Sequence, residues 1–136
     1  MGVAARSLAE NEEDVSLPQY RALVVLGARG PQRPVDLAEA LGIDPSSTTR
    51  LCDRLTRKKL ISRRRQGADR REVRLELSSR GVTLLDTVTE RRRKEIERIL
   101  EAVPHRDRRG LVQAFASFAE AAGEVPEAMW QRSWDL

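Results

Sequence analysis

Residues 50–74 hold eleven Lys/Arg against three acids, Asp53, Asp69 and Glu72, a charge of +8, while the rest of the chain sums to −4. Charge concentrated in this way attracts polyanions, because each phosphate that a Lys or Arg neutralises releases condensed counterions. A basic run taken alone is as readily a solvated face or a disordered arm. Here Leu51, Leu55, Leu60, Ile61, Val73, Leu75 and Leu77 thread through it at regular spacing, so it is expected to fold. Ser46-Ser47-Thr48-Thr49-Arg50 leads into it, with side chains of the kind that hydrogen-bond to base edges. Within it stands QGADRREVRLEL, residues 66–77, where the turn formers Gly67 and Asp69 put Arg70 and Arg71 at the tip of a ribbon.

Other residues with chemical potential carry less. Cys52 is the only cysteine, which excludes an intramolecular disulfide. It is either a redox switch or, beside Leu55 on a helix, a small inert core residue. His105 is the only histidine, and it has no clustered ligand partners, so no metal is expected. Tyr20 either packs in the core or lines a pocket. Arg91-Arg92-Arg93-Lys94, interleaved with Glu90, Glu95 and Glu97, reads as a solvated helix face with internal ion pairs, Arg92 alone lying near the apolar seam. No nucleophile–base pair, phosphate loop or paired carboxylate stands at a telling position, so neither catalysis nor a cofactor is expected.

The elements that must position these residues follow from punctuation and period. Residues 3–14 contain a weak helical candidate followed by the acidic run Glu10 to Asp14. Ser16 before Pro18 opens a helix carrying Tyr20, Leu23, Val24 and Leu26, which Gly30 and Pro31 close. A second helix spans about 34–41, stopped by Gly42. Asp44-Pro45 caps a third, with Thr49, Cys52, Leu55 and Thr56 near one face and Ser46, Ser47, Arg50, Asp53, Arg54 and Arg57 on the polar side. Helix, short Gly turn and capped polar helix make a helix-turn-helix. Strands over 60–65 and 72–77 add a wing. Ser78 or Ser79 starts a long helix to about 103, with Val82, Leu85, Val88 or Thr89, Arg92, Ile96, Ile99 and Val103 near heptad spacing; Pro104 breaks it. A last helix over about 107–122 sets Leu111, Phe115, Phe118 and Ala122 on one face before Gly123.

The fold class expected is mainly α with a small two- or three-stranded antiparallel wing: a winged helix-turn-helix plus long dimerisation helices. At 136 residues one domain should span 1–123, with a DNA-binding lobe at about 17–78 and dimerisation helices at about 3–14 and 79–122. The tail 124–136, with Met129, Trp130 and Trp134, either packs on the dimerisation helices or stays disordered. No signal peptide is evident, and no apolar run approaches the roughly 18 residues that span a bilayer, so a cytoplasmic location without membrane contact is expected.

This element order, together with SLPQY at 16–20, LAEALGID at 37–44 and DRREVRLELSSRG at 69–81, resembles the MarR family of bacterial transcriptional regulators over roughly residues 15–122. The most specific match is the wing signature carried by Asp69, Arg71, Leu75, Leu77, Ser78 and Gly81. The resemblance implies a homodimer that binds a pseudopalindrome in double-stranded DNA and represses nearby genes until a small, often aromatic, effector or an oxidant weakens binding. It implies that Ser46, Ser47, Thr48, Thr49, Arg50, Arg54 and Arg57 contact bases and phosphates. Arg71, oriented by Asp69, would enter the minor groove, with Arg70, Arg63, Arg64 and Arg65 adding phosphate attraction. Two alternatives stand beside this: a winged-helix protein-interaction module using the basic wing on an acidic partner, and a redox-sensing repressor using Cys52.

Overall fold

The structure, a computed structural model, describes residues 15–65 and 72–124. The helical candidate at 3–14, the wing tip with Asp69, Arg70 and Arg71, and the tail from 125 onward lie outside the described residues.

Three short helices come first, and local chemistry sets their ends. Helix α1 (Leu17–Arg29) begins with a capping box: the Ser16 hydroxyl accepts from the Gln19 N–H, and the Gln19 amide oxygen accepts from the Ser16 N–H. Helix α2 (Pro34–Leu41) ends on Gly42 in the left-handed region at φ 65°. There the Gly42 N–H donates to Glu39 O and the Ile43 N–H to Ala38 O, the paired bonds that turn a chain sharply off a helix. Helix α3 (Pro45–Arg57) follows at once, capped by the Asp44 carboxylate. It ends in the same bond pattern, Lys59 N–H to Thr56 O and Leu60 N–H to Leu55 O, but with a lysine at φ 59° where glycine is usual.

Strands β1 (Ile61–Arg65) and β2 (Val73–Leu77) pair antiparallel, from Ile61 opposite Leu77 to Arg65 opposite Val73. The wing starts one residue later than the apolar pattern suggests, because the backbone of Leu60 is engaged elsewhere. Its N–H closes α3 and its carbonyl accepts from the Ser78 N–H. A third strand is reduced to one residue: Gln32 and Leu75 exchange both backbone hydrogen bonds, which ties the wing to the α1–α2 connection.

Helix α4 (Ser79–Glu101) is capped by Ser78, and α5 (His105–Ala121) follows Pro104. Leu23, Leu26, Leu37, Leu55, Leu60, Leu75 and Val88 are the largest fully buried apolar side chains, and with Ile61 they give every element through the first half of α4 a share in one core. In α4 the buried set is Gly81, Leu84, Leu85, Val88 and Thr89, with Leu84 in place of the expected Val82. The second half of α4 and all of α5 take no part, and α5 buries no residue at all. Among the described residues no helix is long and apolar enough to cross a membrane, and no group of three or more His, Cys, Asp and Glu could hold a metal ion.

Candidate nucleic-acid interface

Helix α3 presents a polar outer face because its buried stripe is narrow. Thr48, Leu51, Cys52 and Leu55, at spacing i, i+3, i+4 and i+7, are the residues that face the core. The sequence reading set Thr49 near the apolar face and counted both Thr48 and Thr49 as DNA contacts; the structure takes Thr48 off the outer face and puts Thr49 on it. Thr48 is 1% exposed, its hydroxyl donating to Asp44 O at 3.0 Å, while Thr49 stands in solvent. Stepping by three residues from Leu55 back to Cys52 and Thr49 drifts off a 3.6-residue period, so the buried stripe keeps Cys52 and Leu55 but takes Thr48 in place of Thr49.

Ser46, Thr49, Arg50, Asp53, Arg54 and Arg57 are exposed, and Ser47 is half-buried. The Asp44 carboxylate accepts from the Ser46 hydroxyl and, at 2.9 Å, from the Ser47 N–H. These bonds, the Ser46 one foremost, hold its carboxyl well below the usual carboxylate range. They also spend the Ser46 proton, and Thr49 spends its own on Pro45 O at 3.0 Å. Both hydroxyls therefore turn lone pairs outward, as acceptors suited to base amino groups. The donors are Arg50, Arg54 and Arg57, at i, i+4 and i+7 along the helix, none of them held in an ion pair among the described residues.

The wing arginines are engaged differently. Arg63 pairs with Asp53, joining β1 to α3. Arg64 lies 3.0 Å from Glu76 across the sheet, and Arg74 lies 3.2 Å from Glu72. Between α3 and the sheet runs a cleft of about 380 Å³, lined by Pro34, Thr49, Cys52, Arg63, Arg65, Val73 and Leu75. The Cys52 side chain is 2% exposed, and burial pushes its thiol up against the opposing pull of Arg63, the setting of an inert thiol rather than a reactive one. Sequence reasoning missed this cleft, whose only signal was the alternation of Arg63 with Arg65 and of Val73 with Leu75, which sets each pair on one side of its strand.

Comparison with known proteins assigns this arrangement. The sequence profile of the MarR family matches residues 15–73, from the start of α1 into β2. The crystal structure of RV1404 from Mycobacterium tuberculosis is 42% identical, with a TM-score of 0.86 over 91% of this chain and 84% of that one. The chain belongs to the MarR family. It is a MarR-family transcriptional regulator with the family's winged-helix fold. Similar curated members come from Bacillus subtilis strain 168. The HTH-type transcriptional regulator YfiV is 27% identical over 108 residues, 79% of this chain and 68% of that protein. The HTH-type transcriptional repressor MdtR is 28% identical over 111 residues, 82% and 72% of the two chains. In this MarR-family chain the profile match spans α3, the helix that carries Ser46, Thr49, Arg50, Arg54 and Arg57.

Proposed function

We propose that the protein is a homodimeric repressor that grips a pseudopalindromic operator in double-stranded DNA and releases it when a small aromatic acid binds. The observation that carries this reading is the outer face of α3, where three exposed arginines, in no ion pair among the described residues, stand beside the acceptors Ser46 and Thr49. Arginines in that stripe donate to phosphates and guanine edges, and the two hydroxyls accept from adenine or cytosine amino groups. Arg71 reaches the adjacent minor groove with Asp69 orienting it, and Arg70 adds phosphate attraction.

Dimerisation is supported by what one copy leaves in water: Ile96 and Ile99 on α4, and Val112, Phe115 and Phe118 on α5. A twofold axis through these helices would set two α3 helices about one DNA turn, roughly 34 Å, apart. The cleft between α3 and the wing suits an aromatic carboxylate, since Val73 and Leu75 give it apolar surface and Arg63 and Arg65 give it guanidinium groups. An effector seated there touches Thr49 and the wing base together, and so competes with the geometry that DNA requires.

The test is a mobility shift of the purified protein with the DNA upstream of its own gene, repeated across salt concentrations and with aromatic acids. Tight, steeply salt-dependent binding that such an acid weakens is the expected result, with a large loss on Arg71→Ala and a small one on Arg70→Ala. Binding that ignores salt, or no binding to any upstream sequence, overturns the proposal.

A further inference from the structure

The outer face of the wing carries a row of like charges. Arg63, Arg65, Val73 and Leu75 line the cleft against α3, so Arg64, Arg74, Glu72 and Glu76 stand on the opposite side of the sheet. Arg64 lies directly across from Arg74. At the other edge of β2 the antiparallel bridge between Gln32 and Leu75 brings Arg33, in extended backbone just before α2, beside Arg74 as well. Like charges that face each other across strands push the strands apart.

A carboxylate answers each of these arginines. Glu76 takes Arg64 and Glu72 takes Arg74, both from within the wing. Arg33 is met instead from α2, where Asp36 accepts from its Nε and Nη2 at 2.7 Å each. The Arg33 bonds foremost hold the Asp36 carboxyl below the usual carboxylate range, and the charge of Arg74 adds to them. One carboxylate on α2 thus serves an arginine on each side of the α2–β2 junction. We infer that Asp36 is a positioning residue for the wing: by cancelling Arg33 it lets Arg74 lie against the start of α2, and so sets the angle at which the wing meets DNA.

The junction itself shows why an angle needs setting. A two-stranded hairpin is marginal on its own. Here one residue pair, Gln32 with Leu75, bonds the free edge of β2 to the α1–α2 connection, and a single pair fixes a point without fixing a rotation about it. On the inner side Arg63 ties the wing to Asp53 of α3. On the outer side the balance among Arg33, Asp36 and Arg74 does the same toward α2. Without Asp36, two guanidinium groups face each other at the pivot and drive the wing away from α2. Without Arg33 as well, the repulsion is gone. Exposed ion pairs add little to stability, so the fold should survive both changes. The inference rests on the reading above that the wing enters the minor groove.

The experiment footprints the operator complex with hydroxyl radical, which reads the minor groove, and with dimethyl sulfate, which reads guanine N7 in the major groove. The proteins are the parent, Asp36→Ala, Asp36→Asn, Arg33→Ala and the double variant Arg33→Ala/Asp36→Ala, each checked by thermal melting. Both Asp36 variants should bind several-fold more weakly and lose the flanking minor-groove protection while keeping the major-groove protection. Arg33→Ala should resemble the parent, and the double variant should regain the flanking protection and bind within about twofold of Arg33→Ala. That rescue separates charge from helix capping, because Asp36 also favours the first turn of α2 and removing Arg33 cannot restore that. Unchanged footprints in both Asp36 variants overturn the inference. So does a loss in both grooves alike, or an unfolding of the Asp36 variants, that the double variant does not reverse. A parent that protects no upstream DNA defeats the operator reading and this inference together, whereas a parent protected in both grooves with indifferent Asp36 variants defeats this inference alone.

Discussion

Gly81 stands so close to Leu60 that a Cβ on it would lie 2.0 Å from the Leu60 carbonyl oxygen. That carbonyl is not idle, since it accepts from the Ser78 N–H at 3.0 Å. The Ser78 hydroxyl donates to Lys59 O and accepts from the Gly81 N–H at 3.0 Å, capping α4 in the same stroke. The first turn of α4 is thus bolted to the turn that ends α3. A tilt of α4 is therefore expected to carry the α3 C-terminus with it, a mechanical hold on the helix proposed to read DNA.

Gly81→Ala is therefore expected to destabilise the fold by about 2–3 kcal/mol, the cost of overpacking where the clashing atom is backbone and cannot swing away. Ser78→Ala should cost about 1–2 kcal/mol, as a lost helix cap that also leaves Lys59 O without this donor. Denaturant midpoints measure both. A Gly81→Ala protein as stable as the parent would mean that α4 can slide off Leu60, and the mechanical coupling would go with it.

Lys59 offers the opposite sign. It holds φ 59° in the turn that closes α3, where a Cβ crowds its own backbone and glycine fits freely. Lys59→Gly relieves that strain at the expense of a more flexible unfolded chain, so a net gain of up to about 1 kcal/mol is expected. A lower denaturant midpoint for Lys59→Gly would show that the lysine side chain contributes more than the strain removes.

Helix ends were the most legible part of this chain because their hydrogen bonds are local. Ser16, Asp44, Ser78, Gly42 and Gly123 each satisfy backbone groups within a few residues of themselves. What could not be read was set by partners far along the chain: Gln32 bonding to Leu75, Arg63 reaching Asp53, and the cleft that these contacts frame. Thr48 and Thr49 lay between these cases. Two adjacent threonines look alike in sequence, and only the phase of the helix against the core decides which one is buried.

That phase makes a paired prediction. Thr48→Val removes a buried hydroxyl bonded to Asp44 O, so it should lower stability by about 1 kcal/mol and leave base preference unchanged. Thr49→Val should leave stability nearly unchanged and alter preference at one base pair by about 1–3 kcal/mol. Arg54→Ala should weaken binding to all sequences alike and reduce the salt slope by about 1. Thermal melts and competition binding separate these outcomes, and a Thr48→Val protein with altered sequence preference would put the wrong face of α3 in the groove.

Asp44 should leave a pH signature. Its carboxyl is depressed by the Ser46 hydroxyl first, then by the Ser47 side chain and backbone, so folding favours the carboxylate over the acid. A depressed folded value means the stabilisation is complete above the unfolded value of about 3.9 and is lost as pH falls below it toward the folded one. Asp44→Asn keeps a cap that does not titrate. The melting-temperature gap between the parent and Asp44→Asn should accordingly be constant from pH 7 to 5 and shrink below about pH 4. A gap that stays fixed down to pH 3 would show that the carboxylate is not bonded as described.

Arg63 should separate effector response from DNA binding. Its guanidinium lines the cleft and is already paired with Asp53, so it is a poor source of phosphate contacts but a ready partner for a carboxylate that enters beside it. Arg63→Ala removes one charge-assisted hydrogen bond to such a ligand, worth about 1.5–3 kcal/mol, or a loss of roughly ten- to a hundredfold in effector affinity. Operator binding without effector should change only a few-fold, through loosening of the β1–α3 link. Titrating an aromatic acid against a preformed complex in fluorescence anisotropy reads both quantities at once. An unchanged effector response in Arg63→Ala would move the effector site out of this cleft, whereas a collapse of operator binding would make Arg63 a member of the DNA-contacting set.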